Sequence, residues 1–255
     1  MSVTKVAFDT IIRKEVGRFL RIWKQTLLPS VITISLYFVI FGTFIGSQVD
    51  DVNGFTYMQF LVPGLIMMAV ITNSYSNVVS SFFGQKFSKA IEELLVSPTP
   101  NWVIILGYTA GGVLRAMLVG LLVTLVSLLF VPIHIYSLFY ILVFLLLTSF
   151  VFSLMGFTNS IFAKKFDDVQ IIPVFVLTPL TYLGGVFYSI NLLPDFWQTL
   201  SKINPILYMV NGFRYGFLGI SDVPIYFGLG MLVVFAAGLF TLNWYLLKEG
   251  VGMKP

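Results

Sequence analysis

The sequence predicts an all-α membrane protein with six transmembrane helices. Of its 255 residues, 58% are hydrophobic and only 10% are charged, whereas a soluble domain carries about 25% charged residues. Its apolar stretches are continuous and lack the alternation of polar and apolar residues that marks the strands of a membrane β-barrel. Each stretch is long enough to cross a bilayer as a helix, a structure that satisfies its own backbone hydrogen bonds in lipid.

Residues 3–25 are predicted to form an amphipathic helix. Apolar residues recur there at helical spacing, with basic residues on the opposite face, as in helices that lie in the membrane interface. The apolar stripe consists of Phe8, Ile12, Val16, Phe19 and Trp23, and the polar face carries Lys14, Arg18, Arg21 and Gln25. Such a helix either anchors the chain at the membrane surface or docks a cytoplasmic partner.

Six apolar stretches define a single transmembrane domain that covers residues 1–255. The predicted spans are residues 27–46, 57–83, 102–130, 137–163, 169–188 and 225–247. A short acidic turn at 47–56 joins the first two spans. Asn101 is positioned to cap the third span, and Pro173 and Pro179 are expected to kink the fifth.

The second span carries polar residues at spacings of four, three and four, which places them on one face of a helix. This stripe consists of Asn73, Asn77, Ser80 and Gly84. A polar stripe inside the membrane either holds neighbouring helices together or lines a watery path. The candidates for a path lining are Asn73, Asn77, Tyr182, Phe187 and Tyr188.

Arg115 is the only charged residue that falls deep inside a predicted span. An arginine at a helix centre costs about 2.5–3.5 kcal/mol on insertion scales, so it requires a carbonyl, a polar side chain, water, a lipid phosphate or an anionic ligand as a partner. We add Arg115 to the path candidates because its charge would favour an anionic or phosphate-bearing cargo. Alternatively, its side chain snorkels to the interface.

Two connecting segments are predicted to contain short helices. Residues 85–97 are helix formers that end before Pro98 and Pro100, and they form either an ordinary loop or a docking element. Residues 189–220 combine apolar residues with Pro, Trp and Tyr. This mixture is typical of re-entrant or interfacial helices.

The basic residues predict how the chain is oriented in the membrane. Six spans put both termini on one side, and the loops and termini of that side hold twelve Lys and Arg residues, against Lys202 and Arg214 on the other. This bias places both termini in the cytoplasm. The net charge of +4 therefore reflects membrane orientation, and we expect no nucleic-acid partner.

The sequence contains no recognisable motif of an enzyme or a metal site. The phosphate-binding loop GxxxxGK[ST], the dinucleotide loop GxGxxG, a Ser-His-Asp set and zinc-ligand spacing are all missing. There is no cysteine, and His134 is the single histidine. We therefore predict no catalytic, cofactor-binding or metal-binding residues, and transport against a gradient would require an energy source on another polypeptide.

Three sequence blocks resemble a known family. They are QFLVPGLIMM at 59–68, KAIEELLVSPTP at 89–100, and PLTYLGGVFYSINLLPDFWQTLSKINPILYMVNGFRYGFLGI at 179–220. Together with the basic N-terminal helix, they resemble the permease subunits of type 2 (export) ABC transporters, and especially the bacterial inner-membrane permeases. The resemblance covers nearly the whole chain, and the 179–220 block is the most specific part.

This resemblance implies a multi-pass protein of the bacterial inner membrane that forms a homodimer and binds two cytoplasmic ATPase subunits. ATP and Mg²⁺ would bind to those partners. In the family, the N-terminal helix is an interface element, the loop after the second span carries a coupling helix, and re-entrant helices lie near the outer mouth. Here these are residues 3–25, 85–97 and 189–220. The implied ATPase-coupling residues are Lys86, Lys89, Glu92, Glu93, Arg18 and Arg21.

The family exports lipid-, glycan- or drug-like substrates, so the resemblance leaves the cargo open. Two other functions also fit the sequence: a membrane scaffold or receptor that holds a cytoplasmic partner without transport, and a passive channel. Membrane lipid is an expected partner in every case. An ATPase with a phosphate-binding loop encoded in the adjacent reading frame would favour the exporter.

Overall fold

The computed structural model describes residues 3–46, 51–52 and 54–252, and this part of the chain is helical except for its turns and one isolated bridge between Val52 and Phe55. Asp50 and Asn53 of the predicted acidic turn lie outside the described residues, as does Lys254. The chain begins with an N-terminal helix, Val3–Arg21.

Six helical segments among the described residues are long and apolar enough to cross a membrane. We number them span 1 to span 6: Trp23–Gly42, Tyr57–Phe87, Asn101–Ser127, Leu138–Phe162, Phe166–Leu183 and Ile225–Glu249. The predicted number of spans and their order are confirmed. Their ends shift by up to five residues, because hydropathy marks the apolar core of a span better than its termini.

Two spans contain irregular turns. Span 1 starts as a short helical piece, Trp23–Thr26, and continues as Leu28–Val39, and its last residues enter a π-helical turn, Ile40–Ile45, that extends beyond the span. Span 5 is interrupted by a π-helical turn, Pro173–Leu177, where the proline lacks the N–H that a regular helix needs. Of the two prolines at which the sequence predicts a kink, Pro173 begins this irregular turn, whereas Pro179 lies in the first turn of the regular helix Thr178–Leu183.

The third span corrects one detail of the prediction. Its helix begins at Asn101 itself, and Pro100 occupies the capping position without a side-chain hydrogen bond. The Asn101 side chain therefore does not cap this helix.

Span 2 is the central helix of the bundle. In the most apolar stretch of span 2, 72% of the residues are buried, whereas the corresponding fractions are 17% in span 5 and 11% in span 6. It packs against spans 3 and 4 and against a helix after span 5, Pro205–Leu218. Spans 1, 5 and 6 keep wide apolar surfaces that must face lipid or another protein.

The connecting segments place short helices at both ends of the bundle. Span 2 extends to Phe87, a turn follows in which Lys89 has a φ of 61°, and the next helix is Ile91–Val96. Residues 85–97, which the sequence describes as a run of helix formers, are thus divided by this turn. After span 5, the exposed helix Asp195–Ile203 precedes the buried helix Pro205–Leu218.

Candidate functional site

Spans 1, 2 and 5 enclose a cleft with a volume of about 210 Å³. Seven of its ten lining residues carry a hydroxyl group, which is unusual among helices that are otherwise apolar. The lining consists of Tyr37, Met68, Thr72, Tyr75, Ser76, Pro173, Leu177, Thr178, Thr181 and Tyr182. Such a mixture of rings, aliphatic groups and hydroxyls suits a ligand with both apolar and polar parts.

The face of span 2 that borders this cleft carries Thr72 and Ser76, and Ser80 continues the row one turn further on. The Thr72 hydroxyl donates to the Met68 carbonyl at 3.0 Å, and the Ser80 hydroxyl donates to the Ser76 carbonyl at 2.6 Å. Each hydroxyl oxygen keeps acceptor capacity for a ligand. The polar stripe predicted from the sequence includes Ser80 but neither Thr72 nor Ser76.

Asn73 and Asn77 lie one residue further along span 2, which turns them about 100° away from the cleft. Both are buried between helices of the same chain. In this conformation they belong to the packed interior, and their assignment to the path stays a prediction.

An aromatic cluster lies at the end of the cleft where span 5 finishes. We use this name for Tyr37, Phe41, Tyr182 and Phe187. The Phe187 ring lies 5.9 Å from the Tyr37 ring, 5.3 Å from Phe41 and 5.7 Å from Tyr182. Two predicted path residues, Tyr182 and Phe187, thus meet Tyr37 and Phe41 of span 1, which no pattern in the sequence singled out.

Tyr188, the third predicted aromatic residue, supports this cluster from behind. Its hydroxyl donates to the Tyr182 carbonyl at 3.0 Å. Partial burial raises the pKa of Tyr188 above its ordinary value, so the phenol stays protonated and keeps this hydrogen bond. The structure therefore brings Tyr182, Phe187 and Tyr188 together.

A buried polar cluster joins the N-terminal helix to span 2. The Arg18 guanidinium donates to the side-chain oxygen of Asn77 at 2.8 Å and to its backbone oxygen at 3.0 Å. Arg18 also pairs with the Glu15 carboxylate at 3.2 Å. Glu15 is fully buried, and its other oxygen accepts a 2.6 Å hydrogen bond from Ser81. Both charges thus find partners inside the protein.

Arg115 belongs to a second part of this cluster. Its guanidinium donates to the Thr26 carbonyl at 2.8 Å and to the Asn73 side-chain oxygen at 2.9 Å. Asn73 in turn donates to the Ser30 hydroxyl at 2.8 Å. Arg115 therefore braces the start of span 1 against span 2 through a carbonyl and an amide, two of the partners that its depth required.

The N-terminal helix packs on span 3 through two glycines. A Cβ added at Gly111 would lie 2.6 Å from Glu15 Cβ, and one at Gly107 would lie 2.7 Å from Ile11 Cγ2. The buried face therefore runs along Ile11, Glu15 and Phe19. The small-xxx-small spacing of the glycines was a readable signal for such close helix packing.

This packing changes the predicted apolar stripe of the N-terminal helix. Phe19 is buried in the protein, whereas Trp23 is 48% exposed, and Phe8, Ile12 and Val16 are only partly buried. The helix is turned so that Glu15, which was not among the residues singled out from the sequence, faces the protein interior.

The predicted coupling residues divide into two groups. Lys89, Glu92, Glu93 and Arg21 are exposed at the end of the bundle where spans 2 and 3 are connected. Lys86 instead donates from its ammonium to the carbonyls of Ile161 and, at 2.9 Å, Ala163, at the end of span 4. A cation at this position stabilises a helix C-terminus, so Lys86 and Arg18 are engaged within the chain.

Comparison with known proteins gives one family. Residues 6–218 match the family described as ABC-2 type transporter. The chain is 59% identical over 249 residues to the inner membrane transport permease YadH of Escherichia coli K12, which covers 98% of this chain and 97% of that protein. It is 25% identical over 232 residues to nodulation protein J of Rhizobium meliloti, covering 89% and 88% of the two chains.

Proposed function

Because the chain belongs to the ABC-2 type transporter family, we propose that it is the permease subunit of an ATP-driven exporter. It is a multi-pass inner-membrane transport protein and not a catalytic enzyme. The family implies an ABC ATPase as its partner. In our proposal, two copies of that ATPase bind ATP and Mg²⁺ and drive two copies of this chain, which move a lipid-, glycan- or drug-like substrate.

The hydroxyl-lined cleft is the observation that carries this proposal. It lies between membrane spans, its lining combines polar and apolar groups, and it is partly open at the protein surface. We propose that a second copy of the chain closes this side, so that the path runs between two permeases. Tyr182, Phe187 and Tyr188 are then path residues, together with Thr72 and Ser76.

The buried polar cluster supports a route for the mechanical coupling. Span 2 faces the cleft with Thr72 and Ser76 and faces the N-terminal helix with Asn77. An ATPase that moves the helix Ile91–Val96 or the N-terminal helix would therefore move the wall of the cleft. Asn73, Asn77 and Arg115 support the path from the interior side of the same wall.

The distribution of basic residues supports cytoplasmic termini. Arg214, one of the two basic residues assigned to the opposite side, is 1% exposed and makes its contacts inside the protein. Only Lys202 then remains as an exposed basic residue on that side, so the bias toward the cytoplasmic side becomes stronger.

Reconstitution of the chain with its ATPase tests the proposal. This chain has no cysteine, so one cysteine at Ser76 can be modified without labelling any other site of the chain. We expect ATP-dependent movement of cargo, ATPase stimulation by that cargo, and loss of transport when a bulky reagent fills the cleft. Stable ATPase binding without movement of any cargo would favour a scaffold, and flux without ATP would favour a channel.

A further inference from the structure

Arg214 is a buried cation in residues 189–220, the segment that the sequence predicts to form re-entrant or interfacial helices. Its side chain is 1% exposed, and no carboxylate of the described residues lies within 4.0 Å of it. The guanidinium donates to the carbonyl of Gly185 at 2.7 Å and lies 3.8 Å from the centre of the Phe60 ring. A buried charge that makes no direct ion pair is costly, so this arrangement requires a structural reason.

The carbonyls that bind Arg214 belong mainly to the turn after span 5. Gly185 in this turn has a φ of 69°, a conformation that favours glycine. Span 2 approaches the turn closely, because a Cβ added at Gly64 would lie 2.5 Å from the Val186 oxygen. On the other side, Tyr57 donates to the Phe187 carbonyl at 3.0 Å. The turn is therefore held from several directions.

The position of this turn decides where the Phe187 ring lies. Val186 accepts a long hydrogen bond of 3.4 Å from Arg214, and Phe187 follows it directly. The Phe187 ring then joins the aromatic cluster against Tyr37 of span 1 and Tyr182 of span 5. Arg214 touches neither the cleft nor its lining, yet its contacts fix the ring at the end of the cleft.

We propose that Arg214 is the positioning residue for the outer closure of the cleft. It holds the turn at Gly185 and Val186 so that Phe187 closes the cleft against Tyr37 and Tyr182, and cargo leaves when this aromatic contact separates. An arginine suits this role because its planar fork of donors holds neighbouring carbonyls, whereas a lysine offers a single charged centre. The inference rests on the proposed function, since it takes the cleft as the path.

Access to a single cysteine tests the proposal in the full chain with its ATPase in membrane vesicles. A Ser76→Cys variant is labelled by a membrane-impermeant maleimide that is added to the outer side. We expect slow labelling in this background and a several-fold faster rate after Arg214→Gln or Phe187→Ala. Arg214→Lys should give an intermediate rate. Lys202→Gln, a change at an exposed basic residue of the same segment, should leave the rate unchanged.

A folded Arg214→Gln protein in which Ser76→Cys stays as protected as before would overturn the proposal. If Arg214→Gln does not fold, Gly64→Ala displaces the same turn without changing any charge, and unchanged labelling in that variant would overturn it equally. Labelling does not require transport. If the Ser76→Cys protein still exports cargo after it has been modified, the proposed path is wrong. The effect of the Arg214 variants on the labelling rate tests the role of Arg214 separately.

Discussion

The Arg18 guanidinium lies 2.8 Å from the side-chain oxygen of Asn77, and this contact fastens the N-terminal helix to span 2. The sequence assigned these residues to different tasks, Arg18 to the ATPase contact and Asn77 to the cargo path. Because they bind each other, span 2 has one face joined to the N-terminal helix and another face on the cleft. A displacement of the N-terminal helix therefore acts on the cleft through a single rigid element.

Single-cysteine variants should distinguish the two faces of span 2. Cysteines at Thr72, Ser76 and Ser80 should react with a small maleimide about tenfold faster or more than cysteines at Asn73 and Asn77, because buried thiols are unreactive. The measurement is the labelling rate of the folded protein in detergent or nanodiscs. Equal labelling rates at Ser76 and Asn77 would contradict the orientation of span 2, in which Ser76 faces the cleft and Asn77 faces the interior.

Span 2 illustrates which features the sequence predicts and which it does not. Six spans follow from hydropathy because the bilayer fixes their length. Hydropathy does not predict which face of span 2 borders the cleft, because Asn, Ser and Thr are equally polar in such a pattern. Thr72 satisfies its hydroxyl on its own helix, at the Met68 carbonyl, and can stay exposed, whereas the amide of Asn77 gains most from a distant partner such as Arg18.

Two buried charges illustrate a second limit. Glu15 and Arg214 resemble surface residues in the sequence, because the contacts that bury them come from distant parts of the chain, and the pairing of Glu15 with Arg18 three residues later is equally compatible with a surface ion pair. Glu15 is bound by Ser81, 66 residues later, and Arg214 is bound by backbone carbonyls, which leave no side-chain signal. Tyr37 gave no signal either, since one aromatic residue in an apolar span is ordinary.

Removal of the Glu15 carboxylate should destabilise the protein. In Glu15→Ala, Ser81 loses its acceptor and Arg18 loses its counter-charge, and unsatisfied buried groups of this kind cost about 1–3 kcal/mol. The loss should appear as a lower midpoint of thermal unfolding in detergent. Glu92→Ala, which changes an exposed carboxylate, should shift stability by less than about 0.5 kcal/mol. Equal effects of the two variants would contradict the buried pairing.

Two glycine substitutions should have opposite effects. Gly111→Ala places a methyl group 2.6 Å from Glu15 Cβ, and overpacking of this kind costs roughly 1–3 kcal/mol. Gly84→Ala meets no atom within 4 Å and should be neutral or stabilising by up to about 1 kcal/mol, since alanine favours a helix. Thermal unfolding and proteolysis of the N-terminal helix measure both. A stable Gly111→Ala protein with a protected N-terminal helix would refute the close packing on span 3.

Arg115 and Asn73 should be energetically coupled. The single variants Arg115→Ala and Asn73→Ala each remove one side of the 2.9 Å hydrogen bond, and the double variant should be less destabilised than their sum by about 0.5–3 kcal/mol. Unfolding midpoints of the four proteins give this coupling. Additive effects would show that the contact contributes nothing. Unchanged export by Arg115→Ala with normal assembly would dismiss a role for Arg115 in cargo movement.

Charge reversal at Glu92 and Glu93 should weaken the association with the ATPase. Both carboxylates are exposed next to the turn at Lys89 and form no ion pair among the described residues, so they are free to meet a basic surface on the partner. The pair of substitutions Glu92→Lys and Glu93→Lys should reduce co-purification of the ATPase by about tenfold, with most of the loss in the association rate.

The salt dependence separates this effect from misfolding. At high ionic strength, exposed charges are screened over a shorter distance, because the Debye length falls from about 8 Å at 0.15 M to about 3 Å at 1 M. The difference between wild type and the reversed variant should therefore shrink in high salt. Asp195→Lys, which reverses an exposed carboxylate at the opposite end of the bundle, should leave co-purification unchanged. An equal loss in that control, or a loss that salt does not alter, would argue against direct contact at Glu92 and Glu93.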